Sequence, residues 1–306
     1  VGAIAAEPVI QPPPPVINSS FFVTITGDPT EIYTLIDTTT HAFAVKEVGG
    51  LDEPTIYIGG EVVIAVNADS VYEIWSCLSD VDYSRDGFFT DFELSNNLNI
   101  TALSITGTHP SVSAFYCYAS GITSIDVSML SSASYITLPN NTSLSSIVLP
   151  SNSNTLTAVT AQSTRISSLN SSENNNLSQL YINNTQVTDF SNIQVNKNSM
   201  AEIQANYLSA SFLDFTGYNS LITLDVGYST YLTKVGFPTA SAIDELYVRE
   251  SPTPLLDVSS VGTVTYLYLS PTTSSTVILP STNAVQAEVG LEANYQENFI
   301  TASIQF

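Results

Sequence analysis

Ile122-Thr123-Ser124-Ile125-Asp126-Val127 decides the reading of this chain. Apolar residues stand at its first, fourth and sixth places. Side chains alternate along an extended strand, so the fourth and sixth face one way and Asp126 between them faces the other. The template recurs. Upstream, Ile100, Leu103 and Ile105 fit it, as do Val112, Phe115 and Cys117. Downstream come Leu144-Ile147-Leu149, Leu177-Leu180-Ile182, Leu221-Leu224-Val226, Leu232-Val235-Phe237, Ile243-Leu246-Val248 and Val264-Leu267-Leu269. Ala133-Ile136-Leu138 and Leu156-Val159-Ala161 are weaker copies. Successive copies start about eleven residues apart, a short internal period that marks a solenoid. Ser104, Tyr181, Asp225 and Asp257 take the outward place in other copies, as a strand buried on one face requires.

The stretch Tyr116-Cys117-Tyr118-Ala119-Ser120-Gly121-Ile122-Thr123-Ser124-Ile125-Asp126-Val127-Ser128 resembles the short leucine-rich repeats of secreted bacterial proteins. That repeat reads roughly L-x-x-L-x-C-S-x-N-x-L-T-x-L-D-V-S-x-N over about 22 residues, so two eleven-residue steps make one coil. Leu221-Ile222-Thr223-Leu224-Asp225-Val226 matches its second half and Leu177 to Thr185 its first. The resemblance covers residues 89–279. It implies a ladder of corner asparagines, matched here at Asn96-Asn97, Asn152 and Asn183-Asn184. Gly217, Gly227 and Pro271 replace it elsewhere. It says little about function, because such folds host many partners.

The expected fold is therefore mainly β. A Pro-rich extended arm covers 1–20, with Pro12-Pro13-Pro14-Pro15 favouring polyproline. A small antiparallel β domain, serving as N-terminal cap, covers 21–88. Its β-branched and aromatic runs, such as Phe21 to Thr26 and Glu61 to Val66, are broken by Gly and Pro. An irregular leucine-rich-repeat solenoid of about eight coils covers 89–283, roughly 40 Å long at one strand spacing per coil. A C-terminal cap strand covers 284–306. The chain begins at Val1 without an initiator Met, and the expectation is either a removed leader or a later start within a longer chain.

Composition narrows the function. With 28 Asp+Glu against 6 Lys+Arg the net charge is −22, too few cations to neutralise a row of phosphates, so nucleic acid is not an expected partner. No run of about 18 apolar residues is present to span a bilayer. Hydrophobic residues make up 43%, which excludes an acidic disordered tail. His41 and His109 are the only histidines, and no H-E-x-x-H, G-x-S-x-G or P-loop occurs, so no enzyme is expected. Cys77 and Cys117 are read as buried free thiols, with a bridge between them as the alternative. The outward Asp row reads as a solvated face.

One segment has two readings. Asp82 to Glu93 fits a twelve-residue calcium loop, with oxygen ligands at places 1, 3, 5, 9 and 12 and Gly87 at 6. The same residues put Phe89, Phe92 and Leu94 on the solenoid template, which makes them the first strand of the solenoid. The strand is the expectation. Asp80, Asp82, Ser84 and Asp86 stay as candidate calcium ligands in the entry loop, and no other cofactor is expected. Tyr116, Tyr118, Tyr181, Tyr247, Tyr266 and Tyr268 fall at outward places and form a candidate binding face for protein or glycan. Ordinary cross-strand tyrosine packing is the simpler reading of the same residues. The expected role is non-enzymatic: a structural or adhesive protein on an extracellular or virion surface. A phage head or tail decoration or fibre comes first, with neighbouring structural subunits held through the arm and β domain. A secreted bacterial adhesin of the leucine-rich-repeat kind is the alternative.

Overall fold

The computed structural model describes residues 20–27, 31–38, 42–50, 54–58, 60–65, 67, 70–79, 82–85, 89–93, 100–107, 112–239, 241–269, 276–279, 288–289 and 303–305. They form a β-solenoid of about 7 turns with an antiparallel sheet region at its N-terminal end. One 3-10 turn, Phe190–Asn192, is the only helical segment among the described residues.

Each coil gives one strand to each of two faces. On the first face the strands are parallel and unbroken, from Phe89–Glu93 and Ala114–Tyr116 through Gln179–Tyr181 and Thr223–Asp225 to Thr263–Tyr268 and Glu288–Val289. Their register stacks Phe92, Phe115, Ile136, Val159, Leu180, Ile203, Leu224, Leu246, Leu267 and Val289 in one row. The second face is interrupted. Ile100–Gly107 pairs with Ser124–Asp126 and that strand with Ser146–Val148. Leu169–Ser171 then pairs only with Ile193–Val195, and Phe212–Asp214 only with Lys234–Gly236. Leu255–Asp257, Thr276–Ile278 and Ser303–Gln305 close the series.

The sequence template explains the core. Its fourth and sixth residues both point inward: Leu103 with Ile105, Phe115 with Cys117, Ile125 with Val127 and Leu180 with Ile182 are buried in one continuous cluster. Copies too degenerate to recognise beforehand, Met200-Ile203-Ala205 and Ala210-Leu213-Phe215, fill the gaps in the same cluster. Burying a Leu or Ile side chain contributes about 1.5–3 kcal/mol, so stacked rows drive the coiling.

The N-terminal strands form the expected antiparallel sheet, and it pairs with the first strand of each solenoid face. Ser20–Gly27 lies antiparallel between Val71–Ser79 and Ile100–Gly107, the first strand of the second face. Glu31–Thr38 joins Gly60–Ala65 to Phe89–Glu93, the first strand of the first face. Both solenoid sheets therefore run on into the cap, which pairs the backbone edge that a bare first coil would expose. Within the expected C-terminal cap over 284–306, Glu288–Val289 extends the first face and Ser303–Gln305 the second, each as a further parallel strand; its other residues lie outside the described ones, as do residues 1–19 of the arm.

The corner after each first-face strand repeats too. Four places beyond the central apolar residue the backbone turns left-handed, at Ala119, Asn140, Ser163, Asn184, Tyr207, Tyr228 and Glu250, with φ between 50° and 61°. The next residue in most coils is a buried polar side chain. Asn141 Oδ1 accepts from the Ser120 amide at 2.8 Å, and its Nδ2 donates to the carbonyls of Cys117 and Leu138. Ser229 Oγ accepts from Leu208 N and Ser251 Oγ from Ser229 N, each at 3.1 Å. Thr164 and Thr185 donate to the carbonyls of Ala161 and Ile182. Asparagine, serine and threonine thus share the task that the resemblance gave to asparagine alone: satisfying backbone groups that the turn takes out of the ladder. Asn152 turns left-handed at a corner of the second face, and Gly217 does the same.

Candidate functional site

The unbroken sheet carries the candidate site. Beside its core row runs an outward row that includes Glu93, Tyr116, Thr137, Thr160, Tyr181, Gln204, Asp225, Tyr247 and Tyr268. Four of the six candidate tyrosines sit in this row. Tyr266 lies in the row across the core residues, and Tyr118 lies past its strand end. They share one sheet but do not make one patch: Thr137 and Thr160 separate Tyr116 from Tyr181, and Gln204 and Asp225 separate Tyr181 from Tyr247.

Tyr247, Tyr266 and Tyr268 come together. Tyr247 and Tyr268 stack at 4.2 Å with an interplanar angle of 5°, and Tyr266 lies 6.4 Å from Tyr268. The parallel pair spends a ring face from each partner on the other, which is cross-strand packing. The column continues into two tyrosines that the sequence reading passed over. Arg249 sets its guanidinium over the Tyr247 ring at 5.1 Å and over Tyr228 at 5.6 Å, and Tyr228 stacks on Tyr207 at 4.9 Å and 8°. Tyr207 and Tyr228 both occupy the left-handed corner of their coils. They sit at the eighth place of the template, one coil apart. Extending the template past its sixth place would have found them.

The polar groups of this face bind one another between coils. Glu202 accepts from Gln179 Nε2 and Gln204 Nε2, each at 3.0 Å. Burial, and then the hydrogen bond to Glu202, push the Tyr181 hydroxyl up to about 12. Asp225 accepts from Asn206 Nδ2 at 2.8 Å and from the Gly227 amide at 3.1 Å, and its Oδ2 lies 3.9 Å from Arg249 Nη2. Burial raises its carboxyl above the usual range, against the lowering pull of those partners. Burial likewise pushes the Tyr247 hydroxyl up.

The outward aspartates of the second face, and Asn170 among them, do more than meet solvent. Asp126, Asn170, Asp214 and Asp257 each accept, through the side-chain oxygen, from the backbone amide two residues on: Ser128, Ser172, Thr216 and Ser259. These are Asx turns that end the strand. The Thr216 hydroxyl at 2.6 Å holds the Asp214 carboxyl below its ordinary range. A Cβ on Gly236 in the next coil would stand 2.5 Å from Asp214 Oδ1, so that place admits only glycine without a shift.

Of the candidate calcium ligands, Asp82 and Ser84 lie in the strand Asp82–Arg85, which pairs with Val71–Ser79; Asp80 and Asp86 lie outside the described residues. Phe89–Glu93 is a strand, as the solenoid template required. Among the described residues no group of three or more His, Cys, Asp or Glu gathers to hold a metal. His41 and His109 lie outside them. Cys117 is a free, buried thiol, and burial pushes it up to about 12, which leaves almost no thiolate for nucleophilic chemistry. Among the described residues no helix is long and apolar enough to cross a membrane.

Comparisons with protein-family models, with curated proteins and with solved structures find no match.

Proposed function

We propose that the chain is a non-enzymatic, surface-exposed structural or adhesive protein that presents its solenoid to a protein or glycan. The first setting is a phage virion, as a head or tail decoration or fibre, with the arm and cap held by neighbouring structural subunits. The observation that carries the reading is the unbroken sheet. It gives a long, rigid face of interlocked amide, carboxylate and tyrosine side chains, anchored at one end by strands that belong to the same sheet. Rigid aromatic and amide surfaces lose little entropy on contact. The charge supports an exposed role, since a net charge far from zero keeps a protein soluble.

Immunogold electron microscopy with an antibody to residues 100–280 tests the setting. Regular labelling of viral particles is the expected result. Labelling of cell envelopes would replace the virion by a bacterial surface adhesin, and label confined to the cell interior would end the surface reading.

A further inference from the structure

Arg249 shows how the first face holds a cation. Its guanidinium lies over the rings of Tyr228 and Tyr247, and its Nη2 stands 3.9 Å from the Asp225 carboxylate. An aromatic ring attracts a cation through its quadrupole, and a carboxylate attracts it through charge.

The same two ingredients recur between the next two strands, and there the cation is missing. Register sets Glu245 beside Tyr266 and Tyr247 beside Tyr268. The Tyr266 and Tyr268 rings lie 6.4 Å apart at 25°, and Tyr266 is 36% exposed. A hydrogen bond to the Tyr247 hydroxyl holds the Glu245 carboxylate beside these rings, and Asp244 next to it is exposed. Among the described residues no lysine or arginine pairs with Glu245 or Asp244. The outward rows of the described solenoid strands on this face include Glu93, Glu202, Asp225 and Glu245 but no lysine or arginine. Tyr135 supplies the contrast. It stands in the same row as Tyr266 and is exposed, yet its neighbours on the adjoining strands are Ala114 and Ala158. Carboxylates set the Tyr266 patch apart from an ordinary exposed ring.

We propose that this patch docks a basic segment of a partner protein, with an arginine or lysine side chain over the Tyr266 ring and against the Glu245 and Asp244 carboxylates. The inference rests on the reading of this face as one presented to a partner, and it names the partner's chemistry. Complementary charge brings such a segment in and turns acidic partners away, since the whole chain carries −22.

A chain this acidic attracts any polycation, so the test must separate the patch from the general charge. Fluorescence anisotropy of a labelled hexa-arginine peptide, at about 0.15 M salt to screen distant charges, compares the full chain with Tyr266→Ser and Glu245→Gln. Glutamine still accepts from the Tyr247 hydroxyl, so Glu245→Gln removes charge and keeps the hydrogen bond. Tyr135→Ser and Glu173→Gln are the controls; Glu173 is exposed beyond the second-face strand Leu169–Ser171. Affinity should fall about threefold in Tyr266→Ser and in Glu245→Gln, and stay unchanged in both controls. Should Tyr266→Ser also lower the melting temperature, Tyr266→Phe decides: the ring remains, and binding must remain with it. Equal loss in Glu173→Gln and Glu245→Gln, unchanged binding by Tyr266→Ser, loss in Tyr266→Phe, or no binding of the peptide at all would overturn the site. The surface role stands or falls separately, on the immunogold labelling.

Discussion

The two faces of the solenoid are made of the same chain and behave differently. On the first, every core residue finds its partner 21 to 23 residues on, and the sheet never breaks. On the second, the pairing lapses after Ser146–Val148, after Ile193–Val195 and after Lys234–Gly236. The second lapse has a visible cause. Between Leu180 and Ile193 the chain takes a longer path than elsewhere, through the Phe190–Asn192 turn capped by Asp189. Phe190 packs there on Phe215 at 4.7 Å and on Tyr218 at 6.0 Å, so an aromatic cluster fills the space that regular strands fill elsewhere. The lesson is that a solenoid need hold strict register on one side only. The other side absorbs length variation, through aromatic filling and Asx turns.

Four substitutions break or sharpen that contrast. The largest effect belongs to the core rows. Leu180→Ala on the unbroken face should cost about 3 kcal/mol, and Ile147→Ala, only partly buried on the second face, about half as much, by urea denaturation. Equal losses would mean that the two faces carry equal load. Next is the corner ladder. Asn141→Ala strands one amide and two carbonyls in the interior and should cost about 2–3 kcal/mol. Asn170→Ala removes an exposed Asx turn and should cost under about 1 kcal/mol in the same assay.

These effects bear on what the sequence could tell. The coil period, the inward pair Ile125 and Val127 and the strand at Phe89 were legible, because hydrophobic alternation is written locally. The corner function of Asn141 and Ser251 was not: serine and asparagine are abundant here, and only the fold decides which are buried. The column of Tyr207, Tyr228 and Arg249 was hidden because its members lie past the end of the apolar template. Fusion of the cap strands into both sheets was hidden because antiparallel pairing leaves no periodic trace.

A smaller effect depends on pH. Asp214 has its carboxyl lowered by the Thr216 hydroxyl, so its contribution is present above the ordinary carboxylate range and lost as pH falls through the folded value. Asp214→Ala should lower the melting temperature at pH 7 and leave it nearly unchanged near pH 2. A pH-independent difference would assign the effect to packing against Gly236. The smallest change runs the other way. Ala119→Gly relieves a left-handed alanine and should raise stability by about 0.5 kcal/mol, less than the full strain because glycine is also freer when unfolded.

The regular corner makes the chain a ruler. Each coil is indexed by one left-handed turn, followed in most coils by a buried polar side chain, and each coil packs on its neighbours. Excising one whole period from the regular stretch should therefore let the flanking coils rejoin in step, with the tip drawn in by about one strand spacing, 4.8 Å. The length of the solenoid is then a matter of counting turns, a quantity that evolution or an engineer can set without redesigning either end.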